Sequence, residues 1–323
     1  MKPIILGILA AFFFAATFIL NRSMELAGGS WLWSASLRYF FMLPFLLSIV
    51  AGQKKLRPLF SMMRQRPGAW LLWSTVGFGL FYAPLCLAAA FSPGWLIAGT
   101  WQITIISGSL LVPLFKESIQ TPDGPVQVRG RIPVTGLLLS LIIVAGIVLM
   151  QFENGGGLTA GVLAGIIPVL IASFAYPLGN RKMMEVCGGS LNTFQRVLGM
   201  TLASLPFWVV LASIALIKDG PPQGSQVFQS FLVALLSGVA ATVLFFQATD
   251  LVRNDMEKMA SVEATQSVSV LFALLGEILI LGAHIPSMLG LCGVLLVMLG
   301  MILHSLHSRR RSESPPRQIA KRA

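Results

Sequence analysis

Residues 21–30 read NRSMELAGGS, and residues 180–190 read NRKMMEVCGGS. Both stretches follow a long apolar run with a similar opening. Gly7-Ile8-Leu9-Ala10-Ala11 precedes the first and Gly161-Val162-Leu163-Ala164-Gly165 precedes the second. An arginine follows each at a comparable distance, Arg38 in one case and Arg196 in the other. The match continues to the ends of the two halves, where Gly136 and Gly146 recur at equal spacing as Gly290 and Gly300. Trp101-Gln102 ahead of Glu117 is answered by Thr265-Gln266 ahead of Glu277. The two spacings differ by about one helical turn, which keeps the Gln and the Glu on nearly the same face. Several matches in one order define an internal repeat, with halves at 1–151 and 152–307 and a basic tail at 308–323.

The medium that surrounds the repeat follows from composition. The chain has 323 residues, of which 55% are hydrophobic and only 11% charged, and its mean hydropathy is +0.81. A soluble domain carries roughly 25% charged residues, so this chain lacks the polar side chains to cover a surface in water. In lipid the backbone must satisfy its own hydrogen bonds, which leaves helices or closed barrels. The apolar runs are continuous over about 20 residues, the length that spans a core of ~30 Å, whereas barrel strands would alternate over about 10. An all-α membrane protein is therefore expected. Ten transmembrane helices are predicted near 4–20, 31–51, 69–91, 94–115, 132–151, 158–178, 191–217, 227–250, 261–283 and 286–306. The first resembles a signal peptide in position, but it is long for one and has a counterpart in the second half, so it is read as a retained helix.

Loop charges orient the bundle. With a cytoplasmic N-terminus, 19 of the 23 Lys and Arg residues fall inside, among them Lys54, Lys55, Arg57, Arg64, Arg66 and the tail cluster from Arg309. Only Arg22 and Lys218 fall outside. This asymmetry places both termini in the cytoplasm. It also accounts for the net charge of +11 without nucleic acid; the tail is expected to be disordered and to lie near anionic headgroups. Each half then holds five helices, an odd number, so the halves are inverted. Inverted repeats that exchange conformations around a midplane site are the architecture of alternating-access transporters.

Ten helices as two fives, an Arg early in helices 2 and 7, and Gly276-Glu277 late in helix 9 before a Gly-rich helix 10 resemble the drug/metabolite transporter superfamily. Within it the chain resembles the ten-helix EamA-like branch and the multidrug resistance efflux transporters, over nearly its whole length to about Leu306. The resemblance implies secondary transport of small organic molecules across the cytoplasmic membrane, coupled to protons or sodium, with no enzymatic step and no cofactor. The chain agrees in having no Gly-x-x-x-x-Gly-Lys-Ser/Thr nucleotide loop. A lipid-intermediate flippase or a metabolite importer on the same scaffold is the alternative. A membrane enzyme acting on lipid-linked substrates is disfavoured by short loops that lack paired acids or a His-Glu-x-x-His spacing.

Polar groups inside a membrane are costly and need partners or water. The cavity candidates are Thr17, Asn21, Arg38, Tyr82, Trp101, Gln102, Asn192, Gln195, Arg196, Gln247, Glu263 and Gln266. Arg38 and Arg196 either anchor helix ends or attract an anionic group. Trp101 and Gln102 offer a stacking face and a hydrogen bond for a flat molecule, or Trp101 belongs to the interfacial aromatic belt. Glu263 and Glu277 are the candidate coupling carboxylates, and Glu117 beside Lys116 reads as an interfacial pair. Small multidrug resistance proteins carry a membrane-embedded Glu in the middle of helix 1. Residues 10–19 hold no carboxylate, and the intramembrane cations point toward neutral or anionic substrates. Cys86, Cys187 and Cys292 show no metal spacing and read as small apolar side chains. His304 and His307 read as an interfacial pair rather than a metal site.

Overall fold

Long apolar runs become helices here because a helix satisfies the backbone's hydrogen bonds within the segment, where lipid offers none. The computed structural model describes the whole chain except residues 1, 122–123, 131, 154–158, 253–261, 263 and 314–323. Helix α1 covers Lys2–Leu26, α2 covers Trp31–Gly52 and a short α3 covers Leu56–Gln65. The Ser30 hydroxyl accepts from the Leu32 amide and starts α2. Helix α4 covers Pro67–Phe91, α5 Gly94–Trp101 and α6 Thr104–Leu110. A two-stranded antiparallel hairpin follows, β1 Lys116–Thr121 and β2 Gly124–Arg129, with Lys116 opposite Arg129. The first half closes with α7 Val134–Glu153, and the second opens with α8 Ala160–Cys187 and α9 Thr193–Asp219. It ends with α10 Gly224–Thr249, α11 Thr265–Leu281 and α12 Met288–Glu313.

Among the described residues, eight helices are long and apolar enough to cross a membrane: α1, α2, α4, α7, α8, α9, α10 and residues 288–307 of α12. Large side chains such as Leu138, Leu141, Val209, Val210, Leu279 and Met288 are exposed on the outside of the bundle, as a lipid-facing surface requires. The chain is thus a multi-pass helical membrane protein. Three expectations need correction. The predicted segment 94–115 is not one helix, because it breaks after Trp101. There the Gln102 amide donates to the Ala98 carbonyl and the Thr104 hydroxyl donates to the Trp101 carbonyl, so side chains compete for the carbonyls that a continuous helix would use. A short hairpin, with strands Lys116–Thr121 and Gly124–Arg129, was not expected in the otherwise helical chain. The last helix runs to Glu313 and takes in the first six residues of the expected tail.

Two features lay outside the sequence reading. Helices α4 and α10, the third of each half, both contain a wide π-helical stretch, at Thr75–Gly79 and at Ala234–Ala241. Helix α3 buries Leu59 and rests beside Trp70 and Gly199, with Arg57 and Arg64 on its exposed side.

Helix pairing has a regular order. The last helices of the halves, α7 and α12, pack along their length, and so do α2 and α9. Helix α1 packs on α10 and α11, and α8 packs on α4 and α5. The close approach of α7 and α12 uses glycines: a Cβ on Gly146 would lie 2.6 Å from the Gly293 carbonyl oxygen, and one on Gly293 would lie 2.6 Å from that of Gly146. Within the first half α1 also packs against α2, α4 and α5. Helix α8 makes no comparable contact with α9, α10 or α11 among the described residues.

Candidate functional site: a basic central cavity

The looser packing around α8 leaves a cavity of about 1660 Å³ between the halves. One end of it is closed. There Thr17 donates to the Ser237 hydroxyl at 2.6 Å, and Ser30 donates to Asp219 at 2.5 Å. The Trp33 indole donates to the Gly220 carbonyl at 2.9 Å, and Gln226 donates to the Ser30 carbonyl and the Ser34 hydroxyl at 2.7 and 2.9 Å. These bonds tie α1 and α2 of the first half to α9 and α10 of the second. The other end is lined by Arg129, Arg181, Arg196, His304 and His307.

Arg38 projects from α2 into the wall and is only 7% exposed. One terminal nitrogen donates to Ser237 at 3.3 Å, and its guanidinium carbon stands 4.0 Å from the centre of the Tyr82 ring. Its Nε has no hydrogen-bond partner. No carboxylate lies within ion-pair distance among the described residues, where the one salt bridge joins Lys182 and Glu185. Arg196 also lines the cavity, half-buried. Phe81, Trp101 and Tyr176 form an aromatic cluster on the wall, with ring centres 5.1, 4.7 and 5.6 Å apart. No Asp or Glu occurs among the described lining residues.

Of the sequence-predicted residues, Thr17, Arg38, Trp101, Gln102, Arg196 and Gln266 line this cavity together. Gln266 donates to the Gly7 carbonyl at 3.3 Å. Asn21 and Tyr82 lie behind the wall, where the Tyr82 hydroxyl donates to Asn21 at 3.2 Å and Tyr82 supports Arg38 from below. Asn192 and Gln195 lie elsewhere: they form a reciprocal capping box at the start of α9, and Gln195 also donates to the Lys55 carbonyl. Gln247 is exposed and outside the lining. Glu263 falls outside the described residues. Glu277 is buried away from the cavity, where its oxygens accept from the backbone amides of Gly94 and Trp95 at 2.6 and 3.2 Å. It closes the N-terminus of α5, where a carboxylate meets free N–H groups and the positive end of the helix dipole. Glu117 belongs to β1, in the hairpin.

Ser237, Gly238, Phe81 and Tyr176 were missed by sequence reading. Ser237 and Gly238 stand in an apolar run, and only the π-helical stretch turns them inward. The Tyr176-Pro177 pair was the one local signal, a polar tip beside a helix-disturbing proline.

The fold is thus a multi-pass helical bundle around a large basic, aromatic cavity. The chain belongs to the family described as "EmrE: Putative multidrug resistance efflux transporter", whose profile matches residues 1–310. It is 56% identical over 312 residues to "Uncharacterized protein YjlA" of Bacillus subtilis (strain 168), covering 96% of each chain. It is 49% identical over 267 residues to "Uncharacterized 42.1 kDa protein in intracellular alkaline protease 3'region" of Shouchella clausii, covering 83% of this chain and 70% of that one. A solved structure described as "Crystal structure of protein" shares the fold at a TM-score of 0.62 and 15% identity, covering 97% of this chain and 99% of the other.

Proposed function

We propose that this chain is a secondary active transporter that exports small organic molecules, drugs or metabolites, across the cytoplasmic membrane by alternating access. Ten spans in two inverted five-helix repeats, with both termini cytoplasmic, carry the mechanism. The eight long helices supply eight spans, and the broken α5–α6 pair and the shorter α11 supply the other two. The observation that carries the reading is the cavity of about 1660 Å³, sealed at one end by contacts between the halves and lined at the other by Arg129, Arg181 and Arg196. By the loop charges the basic end faces the cytoplasm, so the conformation is inward-open.

Helix pairing supports the exchange step. Swapping the halves turns the α1·α11 contact into α8·α5, and α1·α10 into α8·α4, while α2·α9 and α7·α12 map onto themselves. The contact of α2 with α4 has no comparable equivalent between α9 and α10, and the contacts of α1 with α2, α4 and α5 have none around α8. In the opposite conformation α8 would gain those contacts and α1 would lose them, closing the inner end and opening the outer one.

Purified protein in sealed vesicles tests the proposal. Drugs, amino acids, nucleotides and lipids are offered under a proton or a sodium gradient, and the expected result is saturable movement of a soluble small molecule. Failure to move any of them under either gradient refutes the exporter. Movement of lipid alone identifies a flippase.

A further inference from the structure

Among the described residues the cavity lining holds arginines and no carboxylate, which bears on its ligand. Arg38 is more than nine-tenths buried, its Nε is without a partner, and the groups around it are a hydroxyl and an aromatic face. A buried cation is tolerated when an anion or a full set of acceptors surrounds it, and the described residues supply neither here. Arg196 adds a second positive charge on the same cavity. The mouth adds Arg129 and Arg181, the latter held by the Gly108 carbonyl at 2.7 Å. Positive groups along a low-dielectric passage concentrate anions and repel cations. Beside them stands the Phe81–Trp101–Tyr176 cluster, whose rings offer a planar molecule a face to stack on.

We propose that the substrate is a small planar organic anion: a carboxylate seats at Arg38, and an attached aromatic ring stacks on the Phe81–Trp101–Tyr176 wall. This rests on the transport reading, with which it shares the cavity. It also bears on how export is driven. A membrane potential negative inside expels a monovalent anion by about fifty-fold for about 100 mV. An anion exporter can therefore work with no carboxylate in its cavity, and the described lining has none. A cationic drug would meet Arg38 at the closed end with no opposite charge to receive it.

Binding to full-length purified protein, followed by calorimetry, tests the assignment. The probes are indole-3-acetate, indole-3-acetamide and tryptamine, which share one ring and differ in charge. Indole-3-acetate is expected to bind at least about tenfold more tightly than the amide, and tryptamine not measurably. Arg38→Gln should remove the preference for the acid and leave amide binding in place, whereas Trp101→Ala should weaken acid and amide alike. Thermal melting of each variant reports its folding, and the charge series on the unaltered protein stands without them. Equal or tighter binding of tryptamine or tetraphenylphosphonium overturns the proposal. So does failure of indole-3-acetate to bind, or an Arg38→Gln protein that folds and keeps the preference. If indole-3-acetate binds and vesicles move nothing, the anion site stands and the transporter falls. If vesicles move cations and indole-3-acetate does not bind, the transporter stands and the anion site falls.

Discussion

Replacing Glu277 separates an architectural carboxylate from a coupling one. Its oxygens accept from the amides of Gly94 and Trp95, the first two residues of α5. Helix α5 starts against α1: a Cβ on Gly94 would lie 2.7 Å from the Phe18 carbonyl oxygen, so α5 cannot shift to find other acceptors. Hydrogen bonds to a charged group are worth roughly 1.5–3 kcal/mol each, and a buried donor left alone costs roughly 1–3 kcal/mol. Glu277→Gln keeps the shape and one acceptor but turns an NH2 toward an N–H group, a loss of about 2 kcal/mol after the relief of burying a charge is offset. Glu277→Ala orphans both amides and empties the site, a loss of about 4 kcal/mol. For a chain of this size 1 kcal/mol shifts the midpoint by roughly 2 °C. The melting temperature in detergent, at a fixed scan rate, should therefore fall by about 4 °C for Gln and about 8 °C for Ala. Transport that persists in the Gln variant should keep its dependence on pH. A Gln variant that melts with the parent and loses all pH dependence would refute this reasoning and make Glu277 the coupling group.

Gly146→Ala drives a methyl into the backbone of the facing helix, where Gly293 O and Val297 N lie 2.6 and 2.8 Å from it, and should destabilise the protein by about 3 kcal/mol; Gly161→Ala, whose nearest neighbour is the Thr159 hydroxyl at 3.9 Å, should be neutral or gain about 0.5 kcal/mol, and thermal melting of the pair reads the difference. Cysteines placed at Arg64 and at Lys218, with Cys292 replaced by Ser because it is exposed while Cys86 and Cys187 are buried, should react with an impermeant maleimide on opposite sides of the membrane. Arg64→Cys should label only after permeabilisation and Lys218→Cys in intact cells; the reverse pattern refutes the proposed orientation.

Much of the helix content and of the cavity was legible because charge and apolar length act locally. For Arg38 and Arg196 the sequence left two readings, a helix-end anchor or a cavity group, and both residues line the cavity. Asn192 and Gln195 show the limit of reading intramembrane polar groups as cavity groups. Asn-x-x-Gln after a pair of glycines is a capping box, and its polar atoms serve the first turn of α9 rather than a ligand. The partners of Glu277 could not be read, since the amides it receives lie more than 180 positions away in the chain. Ser237 was hidden for another reason: it stands in a run of small and aliphatic residues, and the π-helical register that aims it at Arg38 and Thr17 leaves no compositional mark. The hairpin did leave one. Thr121-Pro122-Asp123-Gly124-Pro125 is a turn sequence, passed over because an all-helical expectation gave it no place.

The two matching stretches end in different surroundings, and the difference bears on mechanism. Asn21 is buried and receives the Tyr82 hydroxyl, while Arg22 donates to the Ala89 carbonyl at 2.7 Å. Arg181 makes a like bond to the Gly108 carbonyl at 2.7 Å, but it and Asn180 line the cavity beside its basic end, and Asn180 is only half-buried. Local sequence therefore does not decide which pair is enclosed; the packing of the helix that carries it does, and α1 is clasped where α8 is not. If two similar segments can occupy either environment, the energy that separates the two arrangements is a difference between like terms and is small. Under the proposed mechanism that is the requirement for exchange: an anion that neutralises Arg38 need shift only a near-balanced equilibrium, and it can do so only through contacts stronger in one arrangement than in the other.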